Sequence, residues 1–122
     1  MPAASIQQIA DDLARLGVAQ GDLVMVHASL KAVGPVEGGA EGLIEALECA
    51  VGADGTLLMT LGARDPMAWV NDLPESARPA ALAGSEPFDH LVTPADPDVG
   101  VLAEVFRRLP GTVAQNHPEG RF

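Results

Sequence analysis

His27, Ser29 and Lys31 alternate along VHASLKAVGPVEGG, residues 26–39, and glycines follow at 34, 38 and 39. An imidazole, a hydroxyl and a cation set before permissive backbone suit the capture of an anion. Main-chain amides at a helix start would face a phosphate or pyrophosphate, Ser29 would add a hydroxyl and Lys31 a charge. GPVEGG has neither the GK[ST] ending of the Walker pattern nor the spacing of GxGxxG, so an ordinary turn stays open as the alternative. His27 ends an apolar run, where a hydrogen-bonded structural role is more common than a catalytic one.

The elements around this stretch place it. Residues 4–16 carry Ile6, Ile9, Leu13 and Leu16 at spacings of three and four, which predicts an amphipathic helix capped by Ser5 and stopped by Gly17. LVMVHA, residues 23–28, is a Val-rich run without alternation, as expected of a central strand buried on both faces. From Ala40 to Val51 the apolar residues Leu43, Ile44, Leu47 and Val51 recur at helical spacing, with Glu41, Glu45 and Glu48 on the other side. GADG then signals a turn, and TLLMT, residues 56–60, a second strand. Strand, Gly-rich loop, helix, turn and strand make a βαβ unit, and open α/β sheets bind ligands outside the carboxyl ends of their strands. That is where His27, Ser29 and the loop to Gly39 would lie.

Beyond Thr60 a long excursion with six prolines runs to Asp98, with a short helix expected around Met67 to Val70. VGVLAEVFRRL, residues 99–109, returns to helical spacing, with Asp98 as its expected cap and Arg107 and Arg108 in its last turn. PGTVAQNHPEGRF then offers no closing element. Two strands and three helices make a thin sheet, since stable sheets usually carry four or more strands. The expected fold class is α/β, a βαβ-based mixed or parallel sheet with flanking helices, and the incomplete N-terminal half of a larger α/β domain. Residues 1–122 are read as a single domain.

Composition narrows the function classes. The chain of 122 residues is 48% hydrophobic, with Trp69, Phe88, Phe106 and Phe122 as its aromatic residues, which fits a folded domain rather than a disordered tail. A formal charge of −10 would repel nucleic-acid phosphate and attract a cationic small molecule, although acidity also serves solubility alone. No window approaches the ~20 apolar residues of a membrane span, and the N-terminus lacks the basic start of a signal peptide. A cytoplasmic location without membrane association is expected. The lone Cys49, flanked by Leu47 and Val51, reads as a small buried residue of a protein in a reducing compartment.

Two long blocks carry a family resemblance over nearly the whole chain. GDLVMVHASLKAVGPVEGGAEGLIEALECAVGADGTLLMT, from Gly21, and PFDHLVTPADPDVGVLAEVFRRLPGTVAQNHPEGRF, from Pro87, resemble the aminoglycoside 3-N-acetyltransferases, antibiotic-modifying enzymes distinct from the GNAT fold. The resemblance implies direct attack of a substrate amine on the thioester of acetyl-CoA, with no metal. It implies that Ser29, Leu30, Lys31, Ala32, Val33 and Gly34 contact the coenzyme, Ser29 orienting it rather than acting as nucleophile. It also implies an antibiotic-side segment in LGARDPMAWVNDLPE, with Asp65, Trp69, Asn71 and Asp72 facing the sugar rings of the polycation. Residue by residue, Trp69 is equally readable as core, Asp65 as a cap and Asp72 as solvated. His90 stands where such enzymes carry Pro and reads as incidental and exposed. His117 matches an HP dipeptide, but Arg121 replaces a small residue, which puts the contact at His117 in doubt.

The resemblance also implies what is missing. Such enzymes are about twice as long, and their general-base His and its acidic partner belong to SPL and LHxAE segments that do not occur in these residues. No catalytic residue is therefore expected here. The expected partners are the coenzyme, the aminoglycoside and either the missing C-terminal half or another copy of the chain. A coenzyme- or ligand-binding module without turnover stays open, as does an unrelated nucleotide-binding βαβ protein.

Overall fold

The computed structural model describes residues 2–62, 67–118 and 120–122. α1 spans Ile6–Leu16 and begins where the sequence says it should. Ser5 Oγ accepts from the Gln8 amide at 3.1 Å while Gln8 Oε1 accepts from the Ser5 amide at 2.9 Å, a reciprocal box that satisfies two orphan donors. Gly17, at φ 107°, ends it and donates to the Ala14 carbonyl at 3.1 Å. Ile9 and Leu13 pack inward, but Leu16 is 83% exposed, so the apolar stripe stops one turn short of the expected residue.

β1, Leu23–Val26, and β2, Thr56–Met59, pair in parallel with Leu23 level with Thr56 and Val26 level with Met59. The connection carries two helices: α2, Leu30–Val33, and α3, Gly39–Val51. The GADG turn closes through the Gly55 amide on the Gly52 carbonyl at 3.1 Å. These are the two strands among the described residues, and the expectation that β1 is buried on both faces is corrected. Leu23 is 68% and Met25 51% exposed, because one side of the strand faces the core through Val26 while the other is uncovered. The strand also stops at Val26, leaving His27 and Ala28 beyond it.

α3 occupies the centre. Ile44 and Ala46 are 1% and 0% exposed, and Leu43, Ile44 and Leu47 form one cluster with Met59, Leu61 and Leu102. α1 packs on α3, and so do β2 and α5, Val101–Arg108. Gly42 makes the first contact possible. A Cβ there would collide with the Glu37 carbonyl oxygen and lie 3.7 Å from Ile6 Cγ1.

The proline-rich excursion is more ordered than its pattern suggests. A 3-10 turn at Ala68–Asp72 replaces the expected helix over Met67 to Val70. A further helix, α4, Arg78–Ala83, was not foreseen. Its Arg78 donates through Nε to the Leu73 carbonyl at 3.1 Å and through Nη2 to the Asn71 carbonyl at 3.2 Å. α5 is not capped by Asp98: Pro97 sets a 3-10 turn over Pro97–Val99, and Gly100 at φ 90° takes the N-cap position.

A half-buried ion pair and one buried arginine tie the excursion down. Arg107 holds Glu104 through Nη2 to Oε1 at 2.6 Å and Nε to Oε2 at 2.8 Å, and Glu104 Oε2 also accepts from the Ala95 amide at 2.8 Å. Arg121 is 2% exposed. It donates to the Thr93 and Pro94 carbonyls, both at 2.9 Å, and lies 5.2 Å from the centre of the Phe88 ring. Its backbone pairs antiparallel with Gly62, and Gln115 donates to the Phe122 carbonyl at 2.9 Å. The final segment therefore closes onto the end of β2, contrary to the expectation that it forms no closing element.

Arg121→Ala empties a buried site and leaves the Thr93 and Pro94 carbonyls without these donors, and is expected to lower the unfolding free energy by about 2–4 kcal/mol, measured by urea denaturation. The hydrogen bond from Arg107, reinforced by the Ala95 amide and opposed by desolvation, holds the Glu104 carboxyl below its ordinary value of 4.5. A depressed acid contributes stability above its unfolded value and loses it as pH falls through the folded one. Glu104→Gln is expected to cost about 1 kcal/mol at pH 7, with the gap from the parent closing as pH falls below the depressed value. Urea midpoints across acidic pH measure this.

Candidate active-site half at the strand ends

The parallel register sets the site. Val26 lies level with Met59, so the next residues along, His27 and Thr60, meet at the carboxyl ends of β1 and β2. His27 Nε2 lies 3.1 Å from Thr60 Oγ1. His27 is exposed, and this pairing agrees with its reading as a hydrogen-bonded residue. Thr60 was missed as its partner, although the offset between the two strand patterns was enough to find it.

Ser29 follows at once and caps α2. Its Oγ accepts from the Ala32 amide at 3.3 Å, and its carbonyl accepts from the amides of Ala32 and Val33 at 3.0 Å. The Gly34 amide donates to the Leu30 carbonyl at 3.1 Å. The picture of a loose loop of free amides is thereby corrected: a helical turn consumes those of Ala32, Val33 and Gly34. The first-turn amides of Leu30 and Lys31 keep no intrahelical acceptor. The Lys31 side chain is exposed beside them.

The later part of the loop is clamped as well. The Ala4 amide donates to the Pro35 carbonyl at 3.0 Å and the Glu37 amide to the Ala4 carbonyl at 2.9 Å, a parallel bridge between Ala4 and Val36. Gly38 and Gly39 take φ 77° and 62°, so the turn into α3 needs glycine. α3 starts without a side-chain cap and carries Glu41 in its first turn, which already offsets the dipole that an anion would use. From the other side α5 closes in, its Gly100 placing a built Cβ 3.5 Å from the Ala28 carbonyl oxygen.

Of the expected antibiotic-side residues, Trp69, Asn71 and Asp72 share the 3-10 turn at Ala68–Asp72 and all three are exposed. Trp69 is 51% exposed, and the buried residue of that turn is Val70, which removes the core alternative for Trp69. Asp65 lies outside the described residues. His117 is exposed. The His90 side chain is 31% exposed, with Nδ1 3.9 Å from Asp89 Oδ1, so it is only half open to solvent. Cys49 is exposed rather than buried, because it falls on the Glu45 and Glu48 side of α3, away from the core stripe. It lines a cleft of about 890 Å³ along β2, which shares no residue with the strand-end group. Among the described residues no cluster of three or more His, Cys, Asp or Glu could hold a metal, and no helix is long and apolar enough to cross a membrane.

Comparison with known proteins decides the family. The family model for aminoglycoside 3-N-acetyltransferase matches residues 25–122. The chain belongs to the aminoglycoside 3-N-acetyltransferase family. Its relatives include aminoglycoside N(3)-acetyltransferase VII of Streptomyces paromomycinus, 40% identical over 116 residues that are 94% of this chain and 40% of that protein. Aminoglycoside N(3)-acetyltransferase III of Serratia marcescens is 39% identical over 121 residues, 94% of this chain and 43% of that protein. A solved structure of AAC-IIIb with CoASH superposes with a TM-score of 0.86 at 34% identity, covering 98% of this chain and 45% of the other. AAC-VIa bound to sisomicin gives a TM-score of 0.86 at 39% identity, with the same coverage. The chain thus spans well under half the length of these acetyltransferases, and its α/β architecture is theirs.

Thr60→Val removes the hydroxyl at similar volume. The His27 Nε2 resonance is expected to move in a nitrogen-15 spectrum, while the unfolding free energy changes by less than about 1 kcal/mol for so exposed a pair.

Proposed function

We propose that this chain is the coenzyme- and antibiotic-facing N-terminal portion of an enzyme that transfers the acetyl group of acetyl-CoA to the 3-amino group of aminoglycosides. The observation that carries this reading is the superposition on AAC-IIIb with CoASH over 98% of the chain, with the strand-end turn in a place where α/β sheets bind ligands. Ser29, Leu30, Lys31, Ala32, Val33 and Gly34 contact the coenzyme. The amides of Leu30 and Lys31 and the ammonium of Lys31 meet a diphosphate oxygen, while the Ser29 hydroxyl is already engaged as a cap and fixes the turn. Trp69, Asn71 and Asp72 present a ring, an amide and a carboxylate to a polycationic sugar, which fits the sisomicin carried by AAC-VIa. Asp65 joins them by its place in the sequence.

The chemistry needs no covalent intermediate. The amine lone pair attacks the thioester carbonyl carbon, the carbon–sulfur bond breaks, the thiolate of CoA leaves, and the amine proton passes to a base. The base and its acidic partner belong to the C-terminal half of the enzyme. His27 is engaged with a threonine hydroxyl and is not assigned that task. Residues 1–122 act as one domain that binds and orients, and turnover belongs to the complete polypeptide in the cytoplasm.

Calorimetry with CoA tests the assignment. The 122-residue chain is expected to bind CoA, and Lys31→Ala to weaken it about five- to tenfold by removing one charge-assisted contact. Binding that Lys31→Ala and Ser29→Ala both leave unchanged would place the coenzyme elsewhere. Acetyl transfer to an aminoglycoside by the 122-residue chain alone would contradict the assignment of turnover to the complete polypeptide.

A further inference from the structure

The 3-10 turn at Ala68–Asp72 carries three exposed side chains, Trp69, Asn71 and Asp72, and its middle and its end are held in different ways. Val70, 4% exposed, anchors the middle, and its amide donates to the Met67 carbonyl at 3.0 Å. At the end the Leu73 amide donates to the Val70 carbonyl at 3.1 Å, and the carbonyls that follow need donors from outside the turn. A single side chain supplies two of them. Arg78 donates through Nη2 to the Asn71 carbonyl at 3.2 Å and through Nε to the Leu73 carbonyl at 3.1 Å.

The chain folds back to make this contact. A second 3-10 turn over Glu75–Ala77 closes through the Ala77 amide on the Pro74 carbonyl at 2.9 Å, Pro79 sets the φ of the next position in the first turn of α4, and α4 packs against the turn at Ala68–Asp72. The charge of Arg78 finds no carboxylate: Asp72 and Glu75 are near in sequence, yet no ion pair among the described residues includes it. A chain with 17 Asp and Glu against 7 Lys and Arg thus keeps one of its few cations beside the surface offered to a polycation, where Coulomb repulsion alone would weaken binding. Its planar fork reaches two carbonyls at once, which a lysine ammonium does not reproduce.

We propose that Arg78 is the positioning residue of this turn: its guanidinium locks the carbonyls of Asn71 and Leu73, so that the Trp69 ring, the Asn71 amide and the Asp72 carboxylate are presented together to the aminoglycoside. The order it imposes outweighs the repulsion it brings. The inference rests on the reading of this turn as the antibiotic-facing segment. Without Arg78 only a fraction of the molecules holds the turn in its competent shape, and the apparent affinity falls by that fraction.

Trp69 is the single tryptophan of a chain without tyrosine, so its fluorescence reports on the turn directly. With sisomicin as the probe, Arg78→Ala is expected to weaken binding about five- to tenfold although it removes a like charge, and Arg78→Lys to weaken it about two- to threefold at unchanged charge. Both variants are expected to bind CoA as the parent does in calorimetry, and the Trp69 anisotropy of ligand-free Arg78→Ala to fall below the parent's. Sisomicin binding by Arg78→Ala that equals or exceeds the parent's overturns the proposal. So does an unchanged anisotropy, or an equal loss of CoA binding, which marks a general loss of structure. A parent whose Trp69 does not respond to sisomicin overturns the antibiotic reading of the turn and the proposal with it; the two failures are told apart because the first leaves the parent responsive.

Discussion

The burial of α3 is the constraint on which the remaining structure depends. Its Ile44 and Ala46 are almost wholly out of water, and three different elements, α1, β2 and α5, meet its surface. Burying a side chain of the size of Ile44 is worth roughly 1.5–3 kcal/mol relative to exposure, and no other helix among the described residues has so many buried positions. Because α3 connects β1 to β2, its packing also sets the strands side by side. Their register then brings His27 to Thr60 and places the Ser29 turn at the open end.

The site is built from short local devices on that frame. Ser29 winds the chain into a single turn by capping it, the Ala4 backbone holds the loop beyond, and Gly100 takes the φ of 90° that starts α5 beside Ala28. None of these contacts involves a large buried area. The strand-end region is therefore a surface of hydrogen-bonded turns on which Ser29, Lys31, Ala32 and Val33 are exposed. The charged pair of Glu104 and Arg107 and the buried Arg121 do a separate task, fixing the proline-rich excursion against the body.

Helical periodicity made α1, α3 and α5 legible, and short apolar runs bounded by turn residues did the same for both strands. The Ser5 and Gln8 box was half visible, Ser5 being an obvious cap. Reading failed where tertiary context decides. α2 and α4 are too short to show a period, and Asp98 lost the cap of α5 to the φ that only Gly100 takes easily. Cys49 was placed inside because neighbours in sequence were mistaken for neighbours on the helix face. Leu23 and Met25 look like core residues and stand in solvent, since nothing among the described residues covers them. Arg121 stood out only as a departure from the family pattern and not as a buried residue: an arginine near the end of an irregular segment ordinarily sits outside, and here the carbonyls of Thr93 and Pro94 and the Phe88 ring receive it. Of the site itself, the location of the Ser29 turn was readable from the strand preceding it, whereas the consumption of its amides by α2 was not.

The central claim is that the turn from Ser29 to Gly34 at the carboxyl end of β1 holds the coenzyme. Backbone amide spectra of the isotopically labelled chain, titrated with CoA, test it most directly. The account predicts that the largest shifts fall on Leu30, Lys31 and their neighbours up to Gly34, with residues lining the cleft beside β2 unmoved. Shifts concentrated on Cys49, Leu57 and Phe106, with the Ser29 turn silent, would contradict it.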